Sequence, residues 1–180
     1  SRWFSDSVDQ DTLTPASTLV FDTNQSTTYY VVYLPQSVNY HVNTYLQNIY
    51  DNGYTFESSD LRTATAGSKR TFATENLPDI TGFTALSFED TAVEGDGSTI
   101  IRADYDRMYY LLNLQLDGGT GPETVYARYG TTLHPAEPTK AGYVFDGWYS
   151  DSALTQKWNF STSKVMDDVV LTAKWSSTAW

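Results

Sequence analysis

Two histidines, His41 and His134, are the candidates for general-base chemistry, and they lie far apart in the chain. A hydrolytic site needs a nucleophile within about 3 Å of a base that a third group orients. No local pattern around either histidine supplies that arrangement, and the chain has no cysteine. We therefore predict no enzyme and no catalytic residue, although a triad assembled by folding is recognised by geometry and stays open.

Three short acidic clusters could bind a hard cation: Glu94–Asp96, Asp104–Asp106 and Asp167–Asp168. A calcium loop has a fixed ligand pattern that ends in glutamate, and this pattern is missing after Asp96. A glycosidase needs two carboxyls about 5–9 Å apart across a cleft, which some pair among 22 acidic residues will meet by chance. We expect no metal and no cofactor, and keep a glycoside-acting enzyme as a remote alternative.

The composition excludes two classes of partner. A net charge of -11 without a basic stripe argues against nucleic acid, whose binding depends on clustered Lys and Arg. No stretch approaches the roughly 18 apolar residues of a membrane span, so we expect no membrane insertion. Abundant Thr, Ser, Asn and Tyr favour strands, because β-branched and aromatic side chains suit a half-buried pleated surface. The predicted fold class is mainly β, with α+β as the alternative.

Strand patterns and turn residues alternate along the chain. Tyr110, Leu112 and Leu114 fall on one face of a predicted strand, as do Val169, Leu171, Ala173 and Trp175 of another. Hairpin turns are predicted at Asp51–Gly53, Asp96–Gly97 and Asp117–Gly119. Residues 38–49 fit either a helix or a strand, and we prefer the strand that leads into the first turn.

An internal echo indicates a modular array. Trp3–Ser7 (WFSDS) matches Trp148–Ser152 (WYSDS), and Tyr30–Tyr33 corresponds to Leu171–Lys174. Residues 1–34 are therefore predicted to be the C-terminal half of a module like the one that closes the chain.

The segment from about Tyr109 to Trp175 carries an ordered set of motifs. They are Leu114–Gly119 (LQLDGG), Val125–Gly130 (VYARYG), Pro138–Tyr149 (PTKAGYVFDGWY), Lys157–Ser161 (KWNFS) and Leu171–Trp175 (LTAKW). In order and spacing they resemble the internalin-B-type B-repeat, also called the Listeria-Bacteroides repeat. The resemblance implies a B-repeat over residues 108–176, followed by a tail at 177–180. The aromatic rings expected to fill its small core are Tyr143, Phe145, Trp148, Trp158, Phe160 and Trp175.

Residues 35–107 more loosely resemble the mucin-binding-protein-like modules that often precede such repeats. The supporting segments are Tyr40–Asn48, Thr65–Ser68, Thr81–Thr84, Asp96–Thr99 and Tyr105–Arg107. Three tyrosines flank the first predicted turn, and because exposed tyrosine is enriched at interfaces we take them as candidate ligand contacts: Tyr45, Tyr50 and Tyr54. A cross-strand tyrosine ladder that stiffens the sheet is the alternative.

These resemblances imply small β-grasp-like modules in tandem on the outside of a Gram-positive bacterium, in a protein anchored to the cell wall through a region beyond this segment. The implied function is a non-enzymatic stalk or adhesive segment, monomeric within a longer chain. The alternative is a specific binder of a host surface protein or glycan, such as a mucin glycan, a matrix protein or an immunoglobulin, through residues 35–107. Short connections such as Asp106–Met108 predict a semi-rigid rod.

Overall fold

The computed structural model describes residues 34–178, together with the backbone of residues 2–4 and 30–32. Predictions for the other residues, including Ser5–Ser7 of the echoed pentapeptide, lie outside this part of the chain. The elements in chain order are β1 (Arg2–Phe4), β2 (Tyr30–Val32), β3 (Ser37–Gln47), β4 (Tyr54–Thr65), β5 (Lys69–Arg70), α1 (Phe72–Glu75), β6 (Phe83–Ala85), β7 (Thr91–Ala92), β8 (Ile100–Arg107), β9 (Tyr109–Gln115), β10 (Thr124–Arg128), β11 (Tyr143–Tyr149) and β12 (Val169–Ser177). The prediction of a mainly β chain is confirmed, because the described residues form twelve strands and one helix, α1, which is a single turn.

Residues 35–107, the middle module, form a four-stranded mixed sheet. The strand order is β4-β3-β8-β6, with β3 parallel to β8 and the other neighbours antiparallel. Alternate residues of β3, among them Tyr40 and Val42, are buried against Ile101, Ala103 and Tyr105 of β8. The strand predicted for residues 38–49 is therefore present as far as Gln47, and its register with β4 shifts beside Tyr45 because Glu57 of β4 is an extra residue.

Residues 108–176, the repeat module, form a second sheet with the same plan. Its order is β10-β9-β12-β11, so that the first and last strands of each module are the parallel central pair. The predicted alternation is confirmed in β9, where Leu112 and Leu114 are buried while Tyr109 and Asn113 are exposed. Each sheet thus has one packed face, as the period-two patterns require.

The GYVFDGWY motif places two large rings, three residues apart, on the packed face of one strand. Strict alternation would put Phe145 and Trp148 on opposite faces, but the register with β12 shifts between Phe145 and Gly147. Asp146 is the extra residue of this bulge, and Gly147 has a φ of +131°. Phe145 and Trp148 consequently meet edge to face, with ring centroids 5.4 Å apart.

Five of the six predicted core aromatics belong to the repeat-module core, and Tyr143 does not. Trp148 and Trp158 are buried, and Phe145, Phe160 and Trp175 pack against them. Tyr143 is 44% exposed because it begins β11 opposite Ser177, beyond the end of the packed layer. Its ring lies below the Lys140 ammonium group instead, 4.5 Å from Nζ to the ring centroid.

The middle module buries an acid beneath its sheet. Glu75 at the end of α1 is 1% exposed, and its carboxylate accepts hydrogen bonds from Tyr40 Oη (2.8 Å), Arg62 (3.0 Å) and Arg70 Nε (2.8 Å). Thr71 caps the N-terminus of this one-turn helix. Burial and the bond to Glu75 raise the pKa of Tyr40. Through Glu75, the cluster connects α1 to Tyr40 of β3 and Arg62 of β4.

Two turn predictions are confirmed as hairpin connections, and one is corrected. The turns at Asp51–Gly53 and Asp117–Gly119 join antiparallel neighbours. The turn at Asp96–Gly97 connects β7 to β8, which belong to different sheets, so it is not a hairpin turn. Gly97 has a φ of +78°, a backbone conformation that favours glycine. The turn residues therefore predict a turn here, but they do not predict which strands pair with β7 and β8.

At the N-terminal end, β1 and β2 form an antiparallel pair in which Trp3 lies opposite Val31. The echoed residue Trp148 lies opposite Ala173 in the antiparallel pair of β11 and β12. Both tryptophan-bearing strands therefore pair with a strand that follows them in the chain.

Candidate functional site at the module junction

The two modules are joined with almost no linker. Arg107 ends β8 and Tyr109 begins β9, so Met108 is the single residue between the strands. The Met108 amide donates to Gly82 O (2.9 Å), and its carbonyl accepts from the amide of Tyr129 (2.8 Å). The connecting residue is therefore fixed by backbone hydrogen bonds to each module.

Arg128, the last residue of β10, contacts the Asn48–Gly53 turn of the middle module. Its Nη1 donates to Asn48 O (3.1 Å), and also to the carbonyls of Ile49 and Asp51. Its Nη2 donates to Asn52 Oδ1, and Nε donates to Tyr109 Oη (3.1 Å) in its own module. The planar guanidinium presents several donors in a fixed fork, so one side chain can hold a whole turn.

The turn has hydrogen bonds of its own in addition to those from Arg128. Asp51 Oδ1 accepts from the Gly53 amide (2.7 Å) and from Asn48 Nδ2 (2.7 Å), and Thr55 Oγ1 donates to Asn48 Oδ1 (2.7 Å). The bond from Asn48, followed by the bond from Gly53, lowers the pKa of Asp51, and the Arg128 charge adds to this. The carbonyls that face Arg128 are thus also held by bonds within the turn.

A second contact packs Tyr129 against the middle module. The ring of Tyr129 meets Phe83 edge to face at 5.9 Å, and Arg107 donates from Nη1 to Tyr129 O (2.9 Å). The guanidinium of Arg107 also lies 4.7 Å from the centroid of the Phe83 ring. Burial lowers the pKa of Arg107, and the neighbouring Arg128 charge contributes to this.

A cleft of about 600 Å³ lies where the turn meets the outer face of the repeat sheet. Three tyrosines line it with largely exposed rings: Tyr50 (77% exposed), Tyr126 (70%) and Tyr109 (59%). Its remaining lining residues come from both modules: Ile49, Asp51, Asn52, Ala127, Arg128, Thr131 and Leu133. The cleft is thus a property of the pair of modules and not of either one.

The structure separates the three predicted contact tyrosines. Tyr45 and Tyr54 lie on the outer face of the middle sheet, where Tyr45 is opposite Phe56 and Tyr54 is opposite Gln47. Tyr45 packs edge to face on Phe56 (5.6 Å) and under Arg102 (4.0 Å), whereas the Tyr54 hydroxyl donates to Asp106 Oδ1. Tyr50 lies apart from them in the turn, with its hydroxyl 3.4 Å from Thr132 Oγ1 of the repeat module.

The outer face of the middle sheet carries further exposed apolar side chains. Phe56 (51% exposed), Leu61 (61%) and Ile100 (59%) lie on its β4 and β8 strands, with Leu61 and Ile100 flanking His41 across the sheet. The sequence indicated Tyr45 as a candidate contact but not these apolar neighbours. These residues are on β4 and β8, and they share a face with Tyr45 because both strands pair with β3.

The histidines and acidic clusters are not brought into one site. His41 Nδ1 lies 3.1 Å from Ser59 Oγ on the exposed sheet face, and His134 stacks on Phe160 at 4.0 Å. Within residues 34–178, no group of three His, Asp or Glu side chains is placed to hold a metal ion. In that same part of the chain, no helix has the length and apolar character needed to cross a membrane.

Comparison with known proteins bears on the C-terminal segment first. Residues 110–174 match the family model of the Listeria-Bacteroides repeat domain. This match confirms the resemblance inferred from the LQLDGG, GYVFDGWY and LTAKW motifs. The likeness of residues 35–107 to mucin-binding modules stays a prediction.

Three relatives extend the comparison. Two proteins of Evansella cellulosilytica, named as a Gly-rich membrane protein and a membrane protein, are 38% identical over 87 residues and 37% identical over 93 residues. Internalin H of Listeria monocytogenes is 30% identical over 116 residues. These matches cover 48%, 51% and 63% of this chain, but 10%, 14% and 17% of the relatives. Together with the family match they support a bacterial surface repeat protein.

Proposed function

We propose that the chain is a semi-rigid spacer segment of a cell-surface protein, in which residues 35–107 and 108–176 are successive modules. The observation that carries the proposal is the contact of Arg128 with the Asn48–Gly53 turn. A spacer has to transmit orientation from one module to the next. A one-residue connection with a multidentate guanidinium contact supplies that, since neither module can rotate without breaking several hydrogen bonds.

The proposal extends to the ends of the chain. Residues 1–34 would be the second half of a preceding repeat, in which β1 and β2 correspond to β11 and β12. Such a chain would be extracellular, without enzymatic activity, monomeric within a longer array and anchored to the cell wall by a region outside this sequence. The likeness to internalin H and the family match support this placement.

The distance distribution between two spin labels tests the spacer role. The chain has no cysteine, so Thr63→Cys in the middle module and Thr124→Cys in the repeat module give two unique label sites, both exposed. We expect a single narrow distribution, which Arg128→Ala and Arg128→Lys both broaden. Arg102→Ala is the matched control, because Arg102 is bonded to Asp104 within its own module. A broad distribution in the parent chain would contradict a semi-rigid spacer.

A second candidate function is binding of a host macromolecule by the middle module. The apolar side chains Phe56, Leu61 and Ile100 support it, since exposed apolar groups around an aromatic ring are the usual centre of a protein interface. Pull-down from mucus or serum with the full chain tests this, with Leu61→Thr and Ile100→Thr as variants. Equal recovery of partners by parent and variants would exclude this face.

A further inference from the structure

We propose that the junction cleft is a binding site for a neutral oligosaccharide. The inference rests on the proposed pairing of the two modules but not on the spacer role. The residues that carry it are Tyr50, Tyr109 and Tyr126, which none of the sequence motifs had brought together. The 600 Å³ volume lies within the range of small-ligand sites, and such sites occur preferentially between domains.

The cleft is built before a ligand arrives. Its middle-module wall is the Asn48–Gly53 turn, which Asp51 and Arg128 hold by hydrogen bonds. Its other wall is the pair of strands β9 and β10, in which Tyr109 lies opposite Arg128. The Tyr109 hydroxyl accepts from Arg128 Nε, so this ring is positioned by the same guanidinium. A preorganised site loses little conformational entropy on binding.

The rings offer apolar surface that the fold itself does not use. Tyr126 is 70% exposed, and its side chain has no hydrogen bond or ring contact within the described part of the chain. Among the described residues, the side chain of Tyr50 makes one hydrogen bond, the 3.4 Å approach of its hydroxyl to Thr132 Oγ1. A tyrosine ring gives a rigid face with a polar edge, which suits a ligand that has both C–H faces and hydroxyl groups.

Charge and hydrogen bonding favour a neutral sugar over an anion or an apolar peptide. Each nitrogen of the Arg128 guanidinium donates to a turn carbonyl, Asn52 or Tyr109, and the nearby Asp51 carboxylate offsets its charge. Within residues 34–178, the Asn52 amide nitrogen and the Thr131 and Tyr126 hydroxyls of the cleft have no partner. These are donors and acceptors for hydroxyl groups. Pyranose rings place their C–H faces on aromatic rings and their hydroxyls on such groups.

The test measures binding of neutral tetrasaccharides of hexoses and N-acetylhexosamines to the full chain by titration calorimetry. Tyr126→Thr removes the ring from a strand position and keeps β-propensity, and we expect it to weaken binding at least about tenfold. Tyr126→Phe keeps the ring and should stay within about threefold of the parent. Phe56→Thr is the control, since this exposed ring belongs to the middle-sheet face. Tyr50→Ser should weaken binding as Tyr126→Thr does.

Several outcomes would overturn the proposal. One is the absence of binding to every neutral tetrasaccharide tested, and another is equal affinity in the parent and Tyr126→Thr. Binding of a proline-rich peptide that depends on Tyr126, without any oligosaccharide binding, would replace the ligand class, because aromatic grooves also bind polyproline helices. None of these results affects the spin-label distances, so the oligosaccharide site and the spacer role fail independently.

Discussion

The ring of Tyr129 occupies the space that a side chain at Gly82 would need. A Cβ atom on Gly82 would lie 2.3 Å from two of the Tyr129 ring carbons, and Gly82 has a φ of +80°. We expect Gly82→Ala to combine backbone strain with overpacking across the junction. The substitution should lower the free energy of unfolding by at least about 2 kcal/mol more than backbone strain alone would, measured by urea unfolding of the full chain.

Gly67 provides the matched control for that prediction. It lies in the same module with a φ of +81°, and nothing lies within 4 Å of its added Cβ. Gly67→Ala should therefore show only the strain of a left-handed alanine, about 1 kcal/mol. In a Tyr129→Ala background, Gly82→Ala should cost no more than Gly67→Ala does. An equal cost of Gly82→Ala in both backgrounds would mean that Tyr129 moves away freely.

Alternation of residue types predicted which face of a single strand is buried, but not which residues make contacts between the two modules. The faces of β9 and β12 follow from period two, and Leu112 and Leu171 are buried as expected. The role of Arg128 could not be predicted, because VYARYG contains no hint of the distant carbonyls that it binds. The prediction that Tyr143 lies in the core was wrong, because a sequence motif does not show which end of a strand extends beyond the packed core. Tyr45, Tyr50 and Tyr54 are neighbours in sequence, but the turn directs Tyr50 to the junction.

Acidification should release the turn that Arg128 holds. The hydrogen bonds from Asn48 and Gly53 lower the pKa of Asp51 below its ordinary value of 3.8. A lowered pKa means that the stabilisation is complete above 3.8 and is lost as pH falls through the folded-state pKa. We expect the distance distribution between labels at positions 63 and 124 to broaden as pH falls below 3.8.

Two variants separate this effect from general acid unfolding. Asp51→Asn should broaden the label distances already at pH 7 and remove most of their pH dependence. Asp96→Asn is the matched control, because bonds from Ser98 lower the pKa of Asp96 in a turn away from the junction. Identical pH profiles for the parent and Asp51→Asn would show that Asp51 does not control the junction.

Alkaline titration should reveal Tyr54 as a late-ionising tyrosine. The hydrogen bond to Asp106, followed by burial, raises the pKa of Tyr54 from 10.0 to about 12. Because the raised pKa belongs to the folded state, its stabilisation is complete below pH 10 and is lost as pH rises through 12. The difference in tyrosinate absorbance between parent and Tyr54→Phe should therefore appear near pH 12. In Asp106→Asn the same difference should move toward pH 10, and an unchanged position would mean that Asp106 is not the cause.

Glu75→Gln should destabilise the middle module more than any exposed charge change. The glutamine is isosteric, but it leaves Arg70 without its negative partner and Arg62 with only Asp60, 3.8 Å away, and it turns an NH₂ group toward donors. Both arginines are 24% exposed, so water screens part of the loss and we expect about 3 kcal/mol. Tyr40→Phe removes a single hydrogen bond to the same carboxylate and should cost about 1 kcal/mol. Glu57→Gln on the exposed β4 strand should change stability by less than about 0.5 kcal/mol. If urea unfolding gave Glu75→Gln and Glu57→Gln the same small effect, the buried cluster would not hold α1 to the sheet.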